Sequence, residues 1–262
     1  MSLKKMIRPV IPRAGLRAYR AWKSWPSQYA GSLLNGLEPE ARFLRQLCAP
    51  DRVSIDVGGN LGGYAWLLAR CSRRCHVFEP SPGLYRRLRV AFAFDRRVIV
   101  HQIALSDGSG ETVLRIPLNS GVPVHGLATI ESANSMPGLQ TTMVAVERRR
   151  FDDLGLTDIG FIKIDVEGHE LAVLKGAEQT LIRDKPVLLI EADTRQRPDA
   201  VASVVTFLES LGYRGRFLSR GELTDISKFD PGIHQKRSAV DEFSRLKPGA
   251  IYIVNFLFST CW

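Results

Sequence analysis

An apolar strand that runs straight into four glycines constrains this chain more than any other feature. The segment is Val53-Ser54-Ile55-Asp56-Val57-Gly58-Gly59-Asn60-Leu61-Gly62-Gly63-Tyr64. Glycine is needed where backbone takes a positive φ or must approach a ligand closely. A strand, a glycine turn and a helix in that order bind nucleoside-bearing ligands in open α/β sheets. The dinucleotide fingerprint G-x-G-x-x-G fails here, because Asn60 stands where it needs glycine. The order is Asp-x-Gly-x-Asn-x-Gly. Asp56 beside the turn disfavours a pyrophosphate and suits an ammonium or another polar group. Seventeen residues after Gly62, Glu79 closes the next apolar run. An acid at that place accepts hydrogen bonds from both hydroxyls of a ribose.

From Glu38 onward, strand and helix patterns alternate. Strands are predicted at Val53–Val57, Cys75–Phe78, Val98–Ile103, Phe161–Val166, Val187–Glu191, Tyr213–Leu218 and Ile251–Phe258. Helices are predicted at Glu40–Cys48, Gly62–Cys71, Pro82–Phe94, Glu170–Ile182 and Pro198–Leu211. Short apolar runs without alternation are strands covered on both faces. The expected fold is therefore α/β, with a doubly wound, mostly parallel sheet. Residues 107–150 break the rhythm with repeated Gly and Pro. Thr112–Ile116 and Thr142–Val146 alternate and are expected to pair, as an excursion on the ligand-facing edge.

A second motif follows the strand at 161–166: Lys163-Ile164-Asp165-Val166-Glu167-Gly168-His169-Glu170. Its ionisable groups fall at a strand's carboxyl end, where open sheets bind ligands. A buried lysine there requires a carboxylate partner. Asp165, Glu191 and Asp193 close adjacent strands and offer hard oxygen atoms of the kind Mg²⁺ takes. The reading preferred here has no metal.

Charge and cysteine usage bound the remainder. The net charge is +9, from 36 Lys+Arg against 27 Asp+Glu. Residues 1–30 hold seven of those bases and no acid, so the rest of the chain is nearly balanced. Such an arm points to an anionic surface. In a helix over 14–25, Arg17, Arg20 and Lys23 share one side and Tyr19, Trp22 and Trp25 the other. Residues 13–25 are thus a candidate peripheral membrane contact. The division is a basic extension over 1–36 and one domain over 37–262. No apolar run reaches the length of a membrane span, and the start lacks the apolar core of a signal peptide. Cys48, Cys71, Cys75 and Cys261 make no zinc spacing. A cytoplasmic location is expected.

The two motifs together resemble the FkbM family of S-adenosylmethionine-dependent methyltransferases, which have the class I fold. The resemblance rests on Asp56 to Gly62, Phe78-Glu79-Pro80-Ser81-Pro82, Ala104-Leu105-Ser106-Asp107, Phe151-Asp152-Asp153-Leu154 and Lys163 to Glu170, and spans about Arg52 to Gly212. It implies a Rossmann-like, seven-stranded sheet with an antiparallel last strand. It also implies that S-adenosylmethionine meets Asp56, Gly58, Gly59, Asn60 and Gly62, with Glu79 on the ribose and Ala104 and Leu105 near the adenine. The expected reaction is O-methylation of a hydroxyl on a sugar, glycan or other small molecule.

A neutral hydroxyl must lose a proton as it is methylated, so a general base helps. The candidates are Glu167, then Asp165, then His169. His125, inside the excursion, is a candidate for substrate contact. Two other readings stay open: an RNA or protein methyltransferase that uses the basic arm, and a cofactor-binding domain without catalysis. The first is disfavoured because no Asn/Asp-Pro-Pro-aromatic segment is present, and the second because the cofactor motif is intact.

Overall fold

The computed structural model describes residues 38–134, 136, 138–240 and 246–262. The basic extension and the expected helix over 14–25 lie outside the described residues.

The main sheet is built from β1 (Val53–Val57), β2 (Arg74–Phe78), β3 (Val98–His101), β8 (Ile159–Ile164), β9 (Val187–Glu191), β10 (Arg214–Ser219), β11 (Glu222–Asp225) and β12 (Asn255–Ser259). Its order is β11-β10-β12-β9-β8-β1-β2-β3. The strands from β9 to β3 in that order run parallel. β12 enters antiparallel between β9 and β10, as expected of a last strand. The sheet has eight strands rather than seven, because β11 forms an edge hairpin with β10.

Successive residues of these strands face opposite layers, as the two-residue strand period requires. Ile55, Ile162, Leu188, Ile190, Phe256 and Phe258 face one core, under the helices Glu170–Gly176, Glu178–Asp184 and Ala200–Ser210. Cys75, Val77, Phe161, Leu189 and Leu257 face the other, under Leu44–Leu47, Gly63–Cys71 and Pro82–Ala91. Both faces being covered explains why the strands are continuously apolar. All four cysteines are free thiols, three of them buried.

The 107–150 excursion is a second sheet, ordered β4-β7-β5-β6, of β4 (Ala104–Leu105), β5 (Gly110–Asn119), β6 (Val122–Pro123) and β7 (Gln140–Arg149). The expected pairing forms, with Thr112 opposite Val146 and Ile116 opposite Thr142. The strand expected at Val98–Ile103 ends at His101, because Ala104 and Leu105 leave to pair with β7.

Two further expectations shift for tertiary reasons. The helix expected at Glu170–Ile182 breaks at Ala177. The Asp152 carboxylate accepts from Gln179 N (3.0 Å), Thr180 N (3.0 Å) and Thr180 Oγ1 (2.7 Å), and so starts a new helix there. The last strand begins at Asn255 rather than Ile251. Before it, Ile253 N donates to His234 O (2.8 Å) and Val254 O accepts from Ala192 N (2.8 Å), outside the ladder.

Candidate active site

The carboxyl ends of β1, β2 and β8 meet the second sheet across an open cleft. Gly58 and Asn60 line it after β1, and Glu79 after β2. Asp165, Glu167 and His169 line it after β8, and Ala104, Leu105 and His125 on the second-sheet side. Asp56, Gly59 and Gly62 lie behind this wall.

The glycine turn is held by packing on both sides. Gly58 adopts φ +83°, and a Cβ there would sit 1.8 Å from the backbone oxygen of Asp165. A Cβ on Gly59 would sit 2.2 Å from Val77 Cγ1. The turn is thus pressed between the ends of β8 and β2, and no side chain fits at either place. Glu79 fixes it from the next strand. Its carboxylate accepts from Asn60 N (2.8 Å) and Ser81 N (2.9 Å). Glu79 is 5% exposed. Burial pushes its carboxyl up to about 7, against the pull of those two N–H groups.

That raised value has a measurable sign. A carboxyl raised above its ordinary value stabilises the fold below that ordinary value, and the contribution is lost as pH rises through about 7. Gln at this position does not titrate. Glu79→Gln is therefore expected to gain stability relative to wild type between about pH 5 and about pH 8 in paired urea melts. A constant difference across that range would contradict the assignment.

Asp56 faces the opposite core and is 1% exposed. It pairs in register with Lys163 of β8. Lys163 is also buried; its ammonium lies 2.8 Å from Asp165 Oδ2 and 4.5 Å from the centre of the Tyr64 ring. Burial lowers the lysine's pKa, but the carboxylates of Asp165, Glu38, Asp56 and Glu191 outweigh it and hold the pKa above the ordinary value. Burial, opposed by Lys163, pushes Asp56 up to about 6. The expected acid partner of Lys163 is thus present, and Asp56 lies beneath the turn rather than facing the cleft.

Carboxylate oxygens of Asp165, Glu167 and Glu191 come within 4.8 Å of one another. Asp193 is not part of that trio. It accepts from Arg195 (2.9 Å to Nε) and from Tyr252 Oη (2.7 Å), and pins the loop after β9. The Glu191–Asp193 proximity expected from their shared strand end is replaced by this pairing. Burial and the neighbouring Asp165 raise Glu167 and Glu191 well above the usual carboxylate range. Gln196 donates from Nε2 to Glu167, and Glu167 itself has φ +55°.

Sequence reasoning missed Gln196, Glu131, Thr129 and Asn134, which hold this loop from distant segments. His169 is 11% exposed in its side chain and both ring nitrogens are engaged, Nδ1 with Glu131 and Nε2 with Ser106, each at 2.9 Å.

A mostly parallel sheet with a glycine turn after its first strand and a carboxylate after its second defines an α/β protein of the doubly wound class, whose ligand sites lie at the carboxyl ends of the strands. The chain belongs to the methyltransferase FkbM domain family, whose model matches residues 56–214. It is 31% identical over 154 residues to the hexuronic acid methyltransferase AglP of Haloferax volcanii, covering 56% of this chain and 59% of that protein's length. It is 27% identical over 164 residues to the 2-O-methyltransferase NoeI of Sinorhizobium fredii, covering 58% of this chain and 68% of that protein. A crystal structure of methyltransferase FkbM from Methylobacillus flagellatus shares the fold with a TM-score of 0.50 and 16% identity, covering 93% of this chain and 59% of that one. Among the described residues, no helix is long and apolar enough to cross a membrane.

Proposed function

We propose that this chain is an S-adenosylmethionine-dependent O-methyltransferase acting on a hydroxyl of a sugar, glycan or other small molecule, with residues 37–262 as its catalytic domain. The observation that carries the reading is the cleft itself. It joins a side-chain-free approach at Gly58, a buried carboxylate at Glu79 and a carboxylate wall at Asp165 and Glu167. The family membership and the two relatives named for a hexuronic acid and a 2-O position support the same class of acceptor.

The residues present fit the cofactor. Each Glu79 oxygen accepts one backbone N–H and keeps a second lone pair, which suits the two ribose hydroxyls. Ile103, Leu105 and Leu114 give an apolar wall for a purine ring, beside Ala104. Asp165 offers a carboxylate oxygen to an ammonium or sulfonium group. S-adenosylmethionine supplies an activated methyl group when bound.

The chain's own residues then have four tasks. The glycine turn and Glu79 orient the nucleoside. The second sheet covers the cleft and excludes water. Glu167 takes the proton from the acceptor hydroxyl; burial and the neighbouring Asp165 raise its carboxyl well above the ordinary range, which makes its ionised form a stronger base. His125, on the excursion side, contacts the acceptor.

The test is methyl transfer from methyl-labelled S-adenosylmethionine to a panel of hexoses, hexuronic acids and their glycosides, with and without EDTA. An alkali-stable methyl ether, formed equally in both, is the expected product. Label appearing only in esters or amines overturns the hydroxyl reading. A loss of turnover in EDTA overturns the metal-free one.

A further inference from the structure

The charged loop after β8 is fastened to the second sheet by one short segment, residues 129–134, which lies outside the motifs quoted above. Two contacts hold the loop's main chain. Thr129 Oγ1 donates to the Glu167 carbonyl (2.9 Å), and Asn134 Nδ2 donates to the same oxygen (3.0 Å). Thr129 is 1% exposed and Asn134 9%. They converge where Glu167 has φ +55°, a conformation a non-glycine residue keeps only when its surroundings enforce it.

A third contact holds the loop's side chain. Glu131 Oε2 meets His169 Nδ1, and His169 Nε2 meets Ser106 Oγ. Glu131 is itself fixed. Its other oxygen accepts from Ala133 N (3.0 Å), its N–H donates to Thr129 Oγ1 (2.9 Å), and its carbonyl accepts from Arg115. Burial pushes its carboxyl up, but the Ala133 N–H and His169 together hold it below the ordinary value. An ionised Glu131 accepts, so Nδ1 carries the hydrogen and Nε2 faces the Ser106 hydroxyl. Both ring nitrogens are then engaged within the protein.

The serine–histidine–glutamate line has the connectivity of a hydrolytic triad. Ser106, however, is 0% exposed and is not part of the cleft wall, so no acyl group reaches it. The line is a strut.

We propose that Glu131 is a positioning residue for methyl transfer, acting through His169 and Ser106 to clamp the Glu167 loop in its cleft-facing geometry. This rests on the methyltransferase reading above. It assigns the second sheet a part in the reaction as well as in acceptor recognition. Misplacing a base by about 1 Å costs on the order of 100-fold in rate, so the clamp's effect belongs in kcat rather than in cofactor affinity.

The experiment uses the full chain labelled with 15N-histidine, whose five histidines are assigned by single replacement. Glu131→Gln keeps an oxygen for Nδ1–H, whereas Glu131→Ala does not; Ser106→Ala removes the partner at the other nitrogen. Wild type and Glu131→Gln are expected to show His169 as the Nδ1–H tautomer with protected amides over 165–170. Glu131→Ala and Ser106→Ala are expected to lose both signatures. With the acceptor panel, Glu131→Ala is expected to lose about 10–100-fold in kcat, with S-adenosylhomocysteine affinity kept and with Glu131→Gln restoring most of the rate. An unchanged tautomer, unchanged exchange or wild-type kcat in folded Glu131→Ala overturns the clamp. The nitrogen spectrum needs neither cofactor nor acceptor. A wild-type chain with the tautomer intact but no S-adenosylhomocysteine binding therefore overturns the methyltransferase reading and the clamp's catalytic role together, and locates the failure in that reading.

Discussion

Gly58→Ala is expected to lower S-adenosylmethionine affinity by about 100-fold or more, which is about 2.7 kcal/mol at the site. A Cβ at this position would lie 1.8 Å from the Asp165 backbone oxygen and 3.0 Å from its carbonyl carbon. Neither atom belongs to a side chain that can swing away. Relief requires the turn after β1 to part from the end of β8, to which it is bonded through Asp165 N and Val57 O (3.0 Å). Those two ends form the floor of the cleft. Alanine also resists φ +83°, at a cost of roughly 1–2 kcal/mol. The variant should therefore melt earlier as well as bind worse. Gly63→Ala is the matched control, since nothing lies within 4 Å of a Cβ there and the residue opens a helix. It should bind as wild type does. Calorimetry on both variants checks this, and wild-type affinity in Gly58→Ala would contradict the placement of the cofactor against the turn.

Glu167→Gln is expected to reduce turnover by about 10²–10⁴-fold, the range of a lost general base, with cofactor affinity nearly unchanged. The amide keeps the shape and still accepts from Gln196, but it takes no proton. The wild-type pH profile carries a second mark of the same group. Burial and Asp165 raise the Glu167 carboxyl well above the ordinary range. A base works only when ionised, so activity should rise with pH through that raised value. The acid limb should then stand well above that of an ordinary carboxylate, and it should be absent from the residual activity of Glu167→Gln. An unaltered rate in that variant would move the base elsewhere on the carboxylate wall.

The parts of this site that lie on single strand ends were legible in the residues. The glycine turn, Glu79 and the Lys163–Glu170 run each announce themselves by local pattern, because a parallel strand covered on both faces is continuously apolar until it reaches the ligand edge. The pairing of Thr112–Ile116 with Thr142–Val146 was legible for a different reason, the alternation of a half-buried sheet. What was not legible depends on chain segments far apart in sequence. Glu131 meets His169 across 38 residues, and Gln196 meets Glu167 across 29. β11, with the sequence Glu222-Leu223-Thr224-Asp225, is too short and polar to stand out from a loop. Asp56 was expected near the ligand from its neighbours in sequence, yet alternation along β1 turns it to the Lys163 side. Asp193 was grouped with Glu191 by strand-end position, and Arg195, two residues on, takes it instead.

The cofactor site is tested most directly by titrating S-adenosylhomocysteine and S-adenosylmethionine into the full chain, at two temperatures so that a zero binding enthalpy at one does not hide the event. One-to-one binding of both, lost in Gly58→Ala and kept in Gly63→Ala, is the predicted result. A folded wild-type chain that binds neither ligand at either temperature contradicts it.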